Sequence, residues 1–275
     1  MPLLDRLIWQ IETNLDSELS LPSLSERRAV NVHHMCRAFQ LASGMSIMSY
    51  VRARRLSNAA RVIVSSNANI VAVALDAGYG SHEAFTRAFA SYFGTAPSNL
   101  RKGRFALELQ LMEPFEMNKE MIVPVDPPQK RKRAPFRVVG LGTECSFAKT
   151  GALPALWQSF FARESDIIGV VPGAAYGVCC VDDEAGNFRY IAGVEASPST
   201  PGMEQIELRW PHYAVFTHSG HISDLSKTIY TIWNKTMPES GLEAAKAPDF
   251  ELYDHRFDGR TGRGEMEIWI PVVTS

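Results

Sequence analysis

Arg37 and Arg87 stand fifty residues apart in the same tripeptide, Arg37-Ala38-Phe39 and Arg87-Ala88-Phe89, each followed by a glycine, Gly44 or Gly94. A guanidinium can bind guanine O6 and N7 bidentately or clamp a phosphate, and Ser and Thr serve either a base edge or the backbone. With Met35, Phe39, Phe85 and Phe89 turned inward on two helices, the outward sets are Val32, His33, Cys36 and Arg37, then Ser81, His82, Glu83, Thr86 and Arg87. Much further on, Glu251-Leu252-Tyr253 and Glu267-Ile268-Trp269 each place a carboxylate two residues before an aromatic, so that on a strand the two share a face. With Trp157, Tyr176 and Tyr213 they form a candidate ligand-binding set, offering packing, cation–π contact and charge to an apolar or cationic molecule.

The elements that must carry the first group repeat. Asn31 and Ser81 are good N-caps fifty residues apart, so each unit reads as a short helix, a tight turn, a capped second helix and a terminating glycine. That is a helix-turn-helix written twice. Between the units, apolar spacing from Ile47 to Ser65 predicts one helix with Arg52, Arg54, Arg55 and Arg61 on its outer face. About 19 residues at ~1.5 Å each give a spacer of about 28 Å, against ~34 Å between successive major grooves on one DNA face. Two recognition helices held that way reach adjacent grooves if the DNA bends slightly.

Charge agrees with this division. The chain of 275 residues carries 28 Lys+Arg against 30 Asp+Glu, a net of −2, with 45% hydrophobic residues, which is the make-up of ordinary globular protein. The average conceals an asymmetry: residues 1–104 hold 12 basic against 7 acidic residues, a net of +5, and residues 136–275 hold 11 against 18, a net of −7. A basic end and an acidic end imply different partners.

Beyond Phe136 the period changes from helical to alternating. Strands are expected at 136–143, 176–181, 189–195, 213–219, 250–255 and 265–273, with helices through Leu153–Phe161 and Ser223–Trp233 and a turn at 182–187. Corresponding elements recur after roughly 72–77 residues, two strand-helix-strand-strand units related by a pseudo-dyad. The fold class is therefore multidomain: an N-terminal all-α double helix-turn-helix domain (1–104), a linker (105–135), and a C-terminal α+β domain (136–275) with an antiparallel sheet and helices on one side. Glu251, Tyr253, Glu267 and Trp269 are expected on the face away from those helices. In the linker, Glu120–Pro124 is expected as an edge strand and the run Lys130-Arg131-Lys132-Arg133 as a solvated basic stretch.

Other chemistries find less support. His33-His34 splay about 100° apart on a helix, and no cysteine or carboxylate completes a metal set. His218, Ser219, His221 and Asp224 are the residue types of a hydrolase, but no nucleophile elbow is present, and His218 at a strand end reads as a structural hydrogen bonder. Gly177, Gly186 and Gly193 form no phosphate-cradling loop. The four cysteines have no ligand spacing and fit a reducing cytoplasm, and no apolar run approaches the length of a membrane span.

Ala74-Leu75-Asp76-Ala77-Gly78-Tyr79-Gly80-Ser81-His82-Glu83-Ala84-Phe85-Thr86-Arg87-Ala88-Phe89, followed by Phe93-Gly94-Thr95-Ala96-Pro97, resembles the signature of AraC/XylS transcription regulators, and 20–102 resembles their DNA-binding domain. The first unit departs from that pattern: its turn, Arg28-Ala29-Val30, has no glycine, and its helix opens on His33-His34. The second half resembles GyrI-like effector domains through Tyr190-Ile191-Ala192-Gly193-Val194-Glu195, Tyr213 to Ile222, Ala247 to Tyr253 and Glu267 to Val272. The resemblance implies a multidrug-sensing module with an aromatic-lined pocket containing a glutamate. The expectation is a cytoplasmic one-component transcription regulator, not an enzyme, that binds double-stranded DNA and a small amphipathic, cationic effector, with RNA polymerase a further candidate partner and no metal or cofactor. A GyrI-like half that binds a protein partner, or hydrolyses a substrate, is the alternative.

Overall fold

A computed structural model describes residues 3–26, 32–101, 109–116, 119–146, 150–180, 187–197 and 200–273. Helices α1 (Leu3–Glu12), α2 (Leu21–Glu26), α3 (Val32–Ser43), α4 (Ile47–Ser65), α5 (Ile70–Asp76), α6 (His82–Phe93) and α7 (Pro97–Arg101) come first. There follow β1 (Gln129–Lys132), β2 (Phe136–Ser146), α8 (Leu153–Phe161), β3 (Val170–Cys179), β4 (Asn187–Ala196), β5 (Glu204–Leu208), β6 (His212–His221), α9 (Leu225–Thr231), α10 (Met237–Ser240), β7 (Asp249–Asp254), β8 (Phe257–Asp258) and β9 (Arg263–Pro271). The chain divides into two compact units, one drawn from residues 5–24 and 47–116, the other from 1–4, 25–46 and 117–275. The helix α3 therefore groups with the sheet, while α4 to α7 group with one another.

In the helical unit, Ser81 is extended (φ −153°) and its hydroxyl accepts the Ala84 N–H at 3.1 Å, which satisfies one of the open donors at the start of α6. Gly94 ends the helix in the left-handed region (φ 71°), where a Cβ would be strained. Leu56, Ala60 and Ile63 of α4 pack with Val73 and Ala74 of α5, Phe85 and Phe89 of α6, and Leu100 of α7. The long helix runs over Ile47–Ser65 as its spacing predicts. Its arginines are not all outward, however: Arg54 is only 5% exposed. It falls on the same inward stripe as Tyr50 and Ser57, and Glu12 compensates the buried charge by accepting from Arg54 Nε at 2.9 Å and Nη2 at 2.7 Å.

In the other unit the described strands make one antiparallel sheet, ordered β1-β6-β9-β7-β3-β4-β2-β5, with β8 paired to β9. Between its edge strands the order β6-β9-β7 mirrors β2-β4-β3, so a pseudo-dyad passes between β7 and β3, matching the strand-helix-strand-strand repeat in the sequence. The helix α9 packs on the face of β6, where His218 Nδ1 meets Thr228 Oγ1 at 2.8 Å, and continues through a π-turn at Ile232–Thr236 into α10. On a flat sheet β7 and β2 would stand about 14 Å apart. The Phe136 and Phe250 ring centroids are 5.5 Å apart, because the sheet curls and both rings reach inward.

Two expectations fail at the linker. Residues 119–121 form a 3-10 turn and no strand covers 120–124. The edge strand is instead β1, made from the basic run itself and paired to β6 with Arg131 opposite Tyr213. Alternation puts Arg131 and Arg133 on one face, which gives each guanidinium a carboxylate partner there, Glu267 and Glu195. The turn expected at 182–187 lies, but for Asn187, outside the described residues.

Candidate functional site

On α6 the side chains of Ser81, His82, Glu83 and Arg87 are exposed, while Phe85 and Phe89 anchor the opposite stripe. Thr86 is half-buried, and its hydroxyl is buried with no hydrogen-bond partner among the described residues. This helix presents one contiguous polar face with a guanidinium on it, the chemistry of a major-groove reader.

The helix α3 behaves differently. Val32 is half-buried, the side chain of His33 lies outside the described residues, and Cys36 and Arg37, expected outward, are buried, Arg37 being 9% exposed. The cause is a strong partner set within the sheet unit: Arg37 Nη1 donates to Asp249 Oδ2 at 3.1 Å and Nη2 to Glu251 Oε1 at 3.0 Å. The second oxygen of Glu251 accepts Tyr190 Oη at 2.8 Å and Tyr253 Oη at 3.0 Å. Burial lifts the Tyr190 and Tyr253 hydroxyls well above the ordinary phenol range, and the charge of Glu251 adds to it. Burial also works against the charge on Arg37, but Cys179, Asp249 and Glu251 outweigh it and hold its pKa above the ordinary value. Gly177 makes room for this cluster, since a Cβ there would lie 1.9 Å from Tyr190 Oη.

The expected ligand set is split between two faces. Leu252 is the cross-strand partner of Glu267, Phe250 that of Trp269, and Glu251 that of Ile268. Partners share a face, so Glu251 and Tyr253 point with Ile268 toward the helices, correcting the expectation that they lie with Glu267 and Trp269. Trp157 of α8 belongs to the helix side as well, its ring 5.2 Å from that of Tyr253. Tyr176, Tyr213, Glu267 and Trp269 lie on the other, concave face, buried with Phe136 and Phe250.

That concave face is an aromatic cage around a cation. The Arg133 guanidinium carbon lies 3.8 Å from the Phe136 ring centroid, 5.2 Å from Tyr176, 5.6 Å from Trp269 and 5.8 Å from Phe250. Its Nη2 donates to Tyr176 Oη at 2.7 Å and to Glu195 Oε2 at 2.8 Å. Glu267, 4% exposed, accepts from Arg131 at 3.1 Å, Arg256 at 3.0 Å and Trp269 Nε1 at 2.9 Å. Burial raises the Tyr176 hydroxyl and pushes Tyr213 up to about 12, so both stay neutral donors. Sequence reading missed Arg133, Glu195, Phe136 and Phe250 as cage members, and Asp249 and Tyr190 as partners of Glu251. The available signal was the period-two spacing of Arg131 and Arg133 within a run read as linker.

The hydrolase residue types are not assembled. His218 Nε2 faces the His221 carbonyl at 3.2 Å, Ser219 Oγ donates to Glu265, and Asp224 binds Lys227. Among the described residues no group of three His, Cys, Asp or Glu gathers to hold a metal, and no helix is long and apolar enough to cross a membrane.

A double helix-turn-helix joined to a curled antiparallel sheet with a buried aromatic and carboxylate site defines a DNA-binding regulator with a small-molecule-binding module. Residues 126–273 match the GyrI-like small molecule binding domain and residues 24–103 a helix-turn-helix domain. The chain belongs to the GyrI-like family, fused to a DNA-binding domain of AraC type, and is a transcription regulator of that kind. It is similar to the transcriptional regulator BrlR of Pseudomonas aeruginosa, 34% identical over 146 residues, 51% of this chain and 53% of that protein. It spans 92% of the transcriptional regulator Rob of Salmonella typhimurium at 27% identity, over 94% of its own length. The multiple antibiotic resistance protein MarA of Escherichia coli K12 is 34% identical over 40% of this chain and 85% of that protein.

Proposed function

We propose that this regulator is controlled by a lipophilic, delocalised cation taken into the concave face of the sheet, and that it has no enzymatic role. One observation carries the reading: the cage of Phe136, Tyr176, Phe250 and Trp269 with Glu195 already holds a planar cation, the guanidinium of Arg133. A site whose own filler is a cation stacked on aromatic faces and paired to a carboxylate is complementary to ligands of that chemistry. The effector displaces Arg133, whose position beside the edge strand β1 lets it swing out without breaking the central strands. DNA reading falls to the exposed face of α6, with Arg87 as its guanidinium and Ser81, His82 and Glu83 beside it, while the Thr86 hydroxyl, expected there, is buried and takes no part.

The test is calorimetry of the full chain with two ligands of nearly the same shape, methyltriphenylphosphonium and neutral triphenylphosphine oxide. Binding of the cation at least tenfold tighter, and loss of that binding in Trp269→Ala, is expected. Equal affinity for both, or binding indifferent to Trp269, overturns the reading.

A further inference from the structure

The first recognition helix is held by the sheet. Its Arg37 matches Arg87 in the sequence repeat, yet Arg87 is exposed and Arg37 is buried against Asp249 and Glu251. We propose that Asp249 and Glu251 form a latch that withholds α3 from DNA, so that the ligand-free protein reads DNA chiefly through α6, and that release of Arg37 restores the second reading helix. This rests on the proposed function for its regulator and deepens it, because it assigns the means of control.

Three observations converge. First, α3 belongs to the compact unit of the sheet and packs on α9, while α4 to α7 form the other unit. Second, the guanidinium that a helix of this kind would offer to a guanine or a phosphate is spent on two carboxylates that imitate those acceptors: two anionic groups, one on each terminal nitrogen, at 3.1 and 3.0 Å. The same donors cannot serve DNA at the same time. Third, β7 carries both devices on alternate residues, Asp249 and Glu251 toward the latch, Phe250 and Leu252 toward the concave face. A ligand that displaces Arg133 and moves the Phe250 ring acts on the strand segment whose neighbouring side chains hold Arg37. The tyrosines complete the latch, since Tyr190 and Tyr253 fix Glu251 by its other oxygen and orient it toward α3.

The experiment measures binding of the full chain to a duplex selected from random sequence with that same chain, without ligand. Asp249→Asn/Glu251→Gln keeps the shape of both side chains and removes the charges that hold Arg37. If about nine-tenths of the parent is latched, the double variant binds about tenfold tighter, and its salt dependence steepens by about one ion. Glu239→Gln/Glu243→Gln, two exposed glutamates of the same unit, controls for the change in net charge. Asp249→Asn alone, which leaves Glu251 and its tyrosines in place, gives a partial gain and covers the case in which the double variant folds poorly. Amide exchange over residues 35–43 should accelerate in the latch variants. Unchanged or weaker DNA binding with unchanged exchange, or a gain no larger than that of the control pair, overturns the latch. Methyltriphenylphosphonium is added last: if it fails to bind, the ligand reading falls while the ligand-free arms still decide the latch.

Discussion

Glu251 and Glu267 lie on opposite faces of the same sheet, because Leu252, the residue after Glu251, is the cross-strand partner of Glu267. Each carboxylate is matched by arginine on its own side: Arg37 with Glu251 among the helices, Arg131 and Arg256 with Glu267 on the concave face. Buried carboxylates of this kind persist only when paired, and breaking one pair leaves a charge without compensation. The sheet thus separates two cation-holding sites by the thickness of one strand.

Phe250 is the centre of the concave cluster. Its ring stacks on Trp269 at 5.3 Å with 16° between the planes and meets Tyr213 at 5.4 Å, Phe136 at 5.5 Å and Tyr176 at 5.9 Å. Phe250→Ala removes a fully buried ring with these neighbours and is expected to cost about 3–5 kcal/mol of stability. Urea unfolding of parent and variant checks it, and a loss below about 1 kcal/mol would mean that the cluster repacks.

Gly177→Ala tests the close approach beside the latch. The added Cβ would fall 1.9 Å from Tyr190 Oη and 2.9 Å from Glu251 Oε2, so the tyrosine must leave its hydrogen bond. A destabilisation of about 1–3 kcal/mol is expected from overpacking, accompanied by a change in tyrosine fluorescence. Parent-like melting would contradict the geometry.

In the helical unit, Glu12 is the partner of Arg54 and Tyr50, and its pKa lies below the ordinary carboxylate value: burial alone would raise it, but the bonds from Arg54 and Tyr50 and the charge of Arg54 outweigh that. A depressed folded pKa contributes stability that is present above the unfolded value, near 4.5, and is lost as pH falls through the folded value. Glu12→Gln is therefore expected to destabilise the protein at pH 7 and progressively less below pH 4. Melting temperatures of the two proteins between pH 3 and pH 7 should converge at the acid end, and a constant difference would rule out Glu12 as the titrating group.

Arg87→Ala is expected to weaken binding to the selected duplex by roughly 1–3 kcal/mol if the guanidinium reads a base, whereas Lys246→Ala, exposed in the sheet unit, should leave it unchanged. Polarisation titrations at several salt concentrations separate the roles. Loss of sequence preference marks a base contact, a shallower salt slope marks a phosphate contact, and parent-like binding removes Arg87 from the interface.

Much of this architecture is legible in the sequence because the local signals agree. Ser81, Phe85, Phe89 and Gly94 each satisfy a different requirement of one helix, cap, core and stop, and the second helix-turn-helix follows from them. Strand alternation likewise gives the face-sharing of Glu267 with Trp269 within β9. What alternation within one strand does not fix is the register between strands. Moving β7 by one residue against β9 would put Glu251 beside Glu267, and only the observed pairing of Leu252 with Glu267 separates them. The same limit applies to Arg37: its helix was readable, but its partners lie 212 and 214 residues away, and nothing local announces them. The basic run at 130–133 read as solvated linker because composition outweighed its short alternation.

Glu267 is held by Arg131, Arg256 and Trp269, none of which a ligand in the cage needs to displace. Glu195 meets Arg133 at 2.8 Å and Tyr176 at 3.4 Å, so departure of Arg133 exposes its charge directly to whatever takes the guanidinium's place. The amide of glutamine keeps the size of either side chain and deletes the charge. Glu195→Gln is therefore expected to reduce the preference for methyltriphenylphosphonium over triphenylphosphine oxide by about tenfold with little change in stability, since its pair with Arg133 is partly exposed. Glu267→Gln should do the reverse, lowering stability by weakening the bonds that Arg131, Arg256 and Trp269 Nε1 make to one buried carboxylate, while both ligands lose affinity equally. Calorimetry with the matched pair, beside urea unfolding of each variant, decides between them, and a selective loss of cation binding in Glu267→Gln alone would transfer the role to that residue.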